Sequence, residues 1–143
     1  MKMKTTLAVL LIMELYGLSS GLMKEHFFVN ENESWSSAQE YCKTNFHDLS
    51  TFTDENEYKQ LASASLEITQ AETDYVWTGL RFLAGDWFWV NGDDLNYTAW
   101  DQNEQPQCPA RDLRCGALDK QTHLWTHRNC DEKFHFLCQK KVE

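Results

Sequence analysis

The side chains with the widest chemical reach lie towards the C-terminal half of the chain. They are the thiol of Cys108, the carboxylates Glu104 and Asp112, and the imidazoles His123 and His127. Two histidines four apart, with a thiol and a carboxylate close in sequence, supply the donors that zinc takes. On a strand, however, His123, Trp125 and His127 share one face, and such pairs are common without a metal, so no metal ligands are assigned. A thiol beside a histidine is also the pairing of nucleophilic catalysis. Nothing here orients His127 and no oxyanion donor is visible, so no catalytic residues are assigned and the chain reads as no enzyme. The acidic run Asp54-Glu55-Asn56-Glu57 is expected at a helix start from the macrodipole alone.

The rest of the composition sets where such groups work. Lys2 and Lys4 precede an apolar run from Leu7 to Met13, and Ser19, Ser20 and Gly21 follow, the pattern of a secretory leader. Residues 1–21 are therefore expected to be removed, leaving one domain over residues 22–143. The apolar run is short and broken by Glu14, so no membrane anchor is expected. The leader carries Lys2, Lys4 and Glu14, a net +1, so its loss takes the formal charge from −9 to −10. That balance argues against nucleic acid as a partner, since binding it needs clustered Lys and Arg. Six Trp, eight Phe and five Tyr supply ample area for a single core. Five cysteines in a secreted chain read as a disulfide framework with one thiol over, and Cys108, in a loop before Pro109, is the odd one. Spacing leaves three pairings open for Cys42, Cys115, Cys130 and Cys138.

The organising element is Val76-Trp77-Thr78-Gly79-Leu80, a short apolar and β-branched run that predicts a buried strand. Upstream, His26 to Val29 predicts a first strand, and Asn30-Glu31-Asn32-Glu33 a turn. Ser34 then predicts an N-cap for a helix that turns Trp35, Ala38 and Cys42 inward and stops near Asn45. A second helix is expected from Asp54, burying Tyr58, Leu61, Ala62, Ser65 and Leu66 on one face. Downstream, Trp87-Phe88-Trp89, Cys115-Gly116-Ala117-Leu118 and Leu124-Trp125 predict short strands. Residues 101–114 show no periodicity and read as a functional loop clamped at both ends. Asn32-Glu33-Ser34 and Asn96-Tyr97-Thr98 are glycosylation sequons.

The ordered set Trp35…Ala38…Cys42, Trp77-Thr78-Gly79-Leu80, Trp87…Trp89…Gly92…Trp100, Cys115, Trp125, Cys130 and Phe136-Leu137-Cys138 resembles the C-type lectin-like domain from His26 to Lys140. The resemblance implies an α+β fold of two helices packed on short antiparallel strands, with a long ligand-binding loop and two disulfides, Cys42 to Cys138 and Cys115 to Cys130. It is the short form, lacking the extra N-terminal disulfide. In sugar-binding members a loop calcium is held by residues flanking a cis proline, by a Glu before the third framework cysteine, and by an Asn-Asp pair after a Trp. Here those positions are Gln105 and Gln107 around Pro106, then Leu113, then Thr126 and His127 after Trp125. No carboxylate stands at any of them, whereas calcium takes six to eight oxygens and favours carboxylates.

The expected activity is therefore calcium-independent recognition of a glycan or protein ligand, of the innate-defence type and without a cofactor. Glu104, Gln105, Pro106, Gln107, Asp112, Thr126 and His127 form its surface, and the Trp-rich face offers stacking. The alternatives are a dimeric interaction subunit linked through Cys108, as in the dimeric venom lectin-like proteins that this loop cysteine resembles; a calcium-dependent lectin using a displaced site at Glu104 and Asp112; and an ice-binding lectin-like protein.

Overall fold

A computed structural model describes residues 23–59, 61–107, 109 and 113–142. The leader, Cys108 and Asp112 lie outside them. The strands are β1 (Met23–Glu33), β2 (Asp48–Leu49), β3 (Tyr75–Leu83), β4 (Asp86–Trp89), β5 (Cys115–Asp119), β6 (Trp125–Arg128) and β7 (Phe134–Val142). The helices are α1 (Trp35–Asn45), α2 (Glu55–Lys59) and α3 (Ala62–Thr69). The sheet runs β1-β7-β3-β5-β6, with β2 on β7 and β4 on β3. The antiparallel expectation holds at every pairing but one. β3 and β7 run parallel, Val76 opposite His135 and Trp77 opposite Phe136, because the chain returns to the centre only after completing the loop and the β5-β6 pair.

The central strand is buried as its composition requires. Val76, Trp77 and Leu80 have no exposed area and Thr78 only 2%. Side-chain alternation divides the core. Trp77 faces a cluster with Trp35, Ala38, Cys42 and Phe136, and Val76 and Leu80 face another with Phe52, Ile68, Trp89 and Trp125. Polar atoms in and against the stretch Trp77-Thr78 are satisfied within the protein. Trp35 Nε1 donates to the Thr78 carbonyl at 2.8 Å, Trp77 Nε1 to that of Glu33 at 2.9 Å, and Thr78 Oγ1 to that of Gly116 at 3.1 Å.

α1 forms as expected, with Ser34 Oγ accepting from the Ser37 amide and Trp35, Ala38 and Cys42 turned inward. Two other expectations need correction. The polar residues 30–33 do not turn; they extend β1, paired to β7 from Met23 opposite Val142 to Glu33 opposite Phe134, with an irregularity between Val29 and Glu33. Ladder hydrogen bonds to β7 outweigh the turn preference of Asn30 and Asn32, whose side chains simply face solvent. The second helix is broken into α2 and α3. Asp54 Oδ1 does cap the first piece, accepting from the Glu57 amide at 2.7 Å. The break re-phases the second piece, so Leu66 is 67% exposed while Ile68 is fully buried in its stead.

Both disulfides are formed as the resemblance implied, Cys42 to Cys138 and Cys115 to Cys130. The first ties α1 to β7, the strand between β1 and β3, and the second ties the start of β5 to the turn after β6.

Candidate functional site: the long loop and its flanks

Among the described residues between β4 and β5 there is no strand, only a single 3-10 turn at Asp101–Asn103, in which Gln102 and Asn103 take left-handed backbone with φ 57° and 59°. Its base is held by indoles and backbone. The Trp125 amide donates to the Ala99 carbonyl at 2.8 Å, Trp87 Nε1 to that of Pro106 at 2.9 Å, and the Phe82 amide to that of Arg114 at 2.9 Å. Trp100 packs against Trp87 and Trp125, with ring centroids 4.9 and 5.6 Å apart. All six tryptophans are buried, none more than 4% exposed. The Trp-rich face is therefore core and offers no platform for stacking a sugar, which corrects the expectation drawn from its aromatic content.

Of the residues expected to form the ligand surface, Glu104, Gln105 and Gln107 are exposed and Pro106 is half-buried. The Gln105–Pro106 peptide is trans. Thr126 and His127 sit in β6, opposite Ala117 and Gly116, and are half-buried. The fold brings Trp125 and Thr126 to the base of the loop through the Trp100 bridge. Among the described residues no hydrogen bond or ion pair joins Glu104, Gln105 or Gln107 to Thr126 or His127. His123 does not share a strand face with His127. It lies in the turn before β6 at φ 61°, its Nε2 3.2 Å from Thr69 Oγ1, because β6 begins only at Trp125. His127 Nδ1 is buried without a hydrogen-bond partner. No group of three or more His, Cys, Asp or Glu among the described residues is placed to hold a metal ion. The donors at the loop positions are two amides, a hydroxyl and an imidazole, with an aliphatic Leu113 between them. That set does not fit calcium.

Two polar constellations escaped the sequence reading. The first is a groove of about 320 Å³ beside the Cys115–Cys130 disulfide, lined by Arg81, Phe82, Leu83, Arg114, Asn129 and Asp131. A signal existed, since Arg81 is a lone charge in the otherwise uncharged strand Tyr75–Leu83. The second is internal. The ammonium of Lys24, its side chain 6% exposed, reaches Asp93 Oδ2 at 2.7 Å, Thr51 Oγ1 at 2.8 Å and Glu57 Oε1 at 3.0 Å. Burial draws the Asp93 pKa upward, but hydrogen bonds from Lys24, Asn91 and Thr51 outweigh it and hold the carboxyl below its ordinary value. Nothing in the local sequence marks Lys24, because its partners lie 27 to 69 residues away.

A mixed sheet flanked by helices, two disulfides and a long loop held over a tryptophan core define a binding domain of the C-type lectin-like class. Residues 31–140 match the family described as the Lectin C-type domain, and the chain belongs to that family. Its members are binding proteins and not enzymes. Similar relatives include snaclec A10 of Macrovipera lebetinus, 28% identical over 124 residues that cover 78% of this chain and 73% of the relative. The beta subunit of the snaclec echicetin, from Echis carinatus sochureki, is 28% identical over 111 residues, covering 76% of this chain and 83% of the relative. Among solved structures, human lithostathine superposes with a TM-score of 0.71 at 23% identity, over 83% of this chain and 92% of that one. Herring type II antifreeze protein does so with a TM-score of 0.68 at 20% identity, over 84% and 92%. These two likenesses are of fold.

Proposed function

We infer that the mature chain, released by removal of residues 1–21, is a secreted binding module of the innate-defence type that recognises a glycan or protein ligand without calcium, through residues 101–114 and 126–129. The observation that carries this reading is the donor set at the loop positions Gln105, Gln107, Leu113, Thr126 and His127, which holds no carboxylate. A calcium site is normally built from carboxylates, so a ligand must be gripped by amides, hydroxyls and backbone instead. Among the described residues no helix is long and apolar enough to cross a membrane, which is compatible with release. The test is a glycan array, and capture of protein ligands, each run with calcium and with a chelator after calorimetric titration of calcium into the stripped domain. Equal binding in both conditions and no calcium heat are expected; chelator-sensitive binding overturns the reading.

A second reading is favoured by the relatives. Two snaclecs similar to this chain are described as subunits, one of echicetin and one of the coagulation factor IX/factor X-binding protein. Cys108, the cysteine left over by the two disulfides, would link this chain to a partner. On a non-reducing gel the wild type should run at twice the mass of the Cys108→Ser variant; equal mobility removes the covalent dimer.

A further inference from the structure

We propose that the groove between Arg81, Arg114 and Asn129 receives the sulfate or carboxylate groups of an acidic saccharide. The inference rests on the lectin-like reading above and names the class of glycan. The chain as a whole carries a charge of −9, yet two guanidiniums line this one groove. Neither has a carboxylate within ion-pair distance among the described residues, whose ion pairs all involve other cations. Arg81 lies over the Trp35 ring, 4.8 Å from its centroid, which fixes the guanidinium without neutralising it. Its Nε is buried and without a hydrogen-bond partner. Among the described residues Arg114 spends only its Nε, on the Pro109 carbonyl at 3.4 Å, with its guanidinium 5.8 Å from the Phe82 centroid.

The acid next in sequence to this stretch is spent elsewhere. Glu132 is engaged by Arg128, at 2.9 and 3.1 Å, and by the Asn129 amide. Among the described residues Asp131 is the one acid lining the groove, so that described lining keeps one net positive charge. Two forks of N–H donors with an unmet demand for an anion match the paired oxygens of a sulfate or carboxylate. A saccharide is favoured over a peptide by what surrounds them. The Asn129 side chain, whose Oδ1 accepts from the Asp131 amide, has its NH2 unengaged among the described residues and able to meet a hydroxyl, and Leu83, 48% exposed, offers an apolar edge to the C–H face of a sugar ring. Arg114 and Asn129 also end the two segments proposed as the ligand surface, so the groove continues that surface.

The test is calorimetry at low ionic strength with a sulfated glycosaminoglycan disaccharide, its desulfated counterpart, inorganic sulfate as competitor, and a tyrosine-sulfated peptide. The sulfated disaccharide is expected to bind about tenfold more tightly than the desulfated one, to weaken as salt is added, and to be displaced by sulfate. Arg114→Gln should lower its affinity about tenfold, and Asp131→Asn should raise it. Arg81→Gln also removes the contact with Trp35, so the two surface variants are the decisive ones. Equal affinity for the two disaccharides, or indifference to both variants, overturns the proposal. Peptide binding without saccharide binding overturns the choice of occupant. Neutral glycans bound equally by wild type and variants would leave the lectin-like reading standing while removing this groove from it; an array silent for every glycan, with no saccharide heat, removes the glycan half of that reading as well.

Discussion

At the scale of single residues, Gly116 and His26 are the positions where a small change has a large consequence. A Cβ built on Gly116 would lie 2.6 Å from Leu80 Cβ and 2.9 Å from its Cδ2, in the fully buried heart of the sheet. Since Leu80 cannot swing away, Gly116→Ala should destabilise the fold by about 1–3 kcal/mol, the usual cost of overpacking, and chemical denaturation would show it as a lower midpoint at unchanged slope. His26 is buried beside Ser50 Oγ at 2.8 Å and near Lys24, and burial followed by that neighbouring charge pushes its pKa down from 6.5 to about 4. Below pH 6.5 the unfolded chain takes a proton that the folded one refuses, so stability falls as the pH drops through this window, and the fall is complete near pH 4. The loss amounts to roughly 3 kcal/mol. Unfolding free energies measured between pH 7.5 and 4 should show that slope, and His26→Phe should flatten it.

At the scale of elements, the decisive junction is the one Lys24 makes between the start of β1, helix α2 and the turn after β4. Glu57 serves both partners, accepting from the Thr53 amide at 2.8 Å as well as from Lys24, so the helix start and the strand are fixed together. Lys24→Met would leave two poorly solvated carboxylates facing each other, and a loss of about 3–5 kcal/mol is expected. Adding Glu57→Gln and Asp93→Asn should restore much of it. A triple variant as unstable as the single one would show that the ammonium stem's packing, rather than the charge, matters here. The same junction explains the break between α2 and α3. Glu57 must stay on the ammonium while Leu61 and Ile68 reach the core, and two short helices meet those demands where the one helix expected from Asp54, with Tyr58 to Leu66 on its buried face, does not.

At the scale of the whole molecule, the two disulfides divide the labour unequally. Cys42–Cys138 closes 96 residues and Cys115–Cys130 closes 15, so chain entropy makes the first worth about 4–5 kcal/mol and the second about 3. Replacing Cys42 and Cys138 with Ser should lower the melting temperature more than replacing the other pair. Much of this architecture was legible in the residues. The central strand, the capped α1, the inward Trp35 and Cys42 and both disulfide pairings follow from apolar runs, local caps and an ordered family pattern. What could not be read is what depends on distant partners. The parallel β3-β7 pairing, the extension of β1 across polar residues 30–33, the turn position of His123 and the burial of every tryptophan are settled by register and packing across the chain. The loop is intermediate. Its existence was plain from Asp101 to Arg114, but the charged groove at its far end depends on the register that sets Arg81 opposite Cys115.

The cation that knits β1 to α2 and to the turn at Asp93 is carried by the chain itself, one equivalent per molecule, and neither dialysis nor dilution can remove it. The fold around that junction should consequently be indifferent to the ionic composition of the surrounding fluid, with one melting temperature in calcium and in chelator. Any response of ligand binding to a chelating agent would then report on the loop surface alone, undisturbed by loosening of the scaffold beneath it.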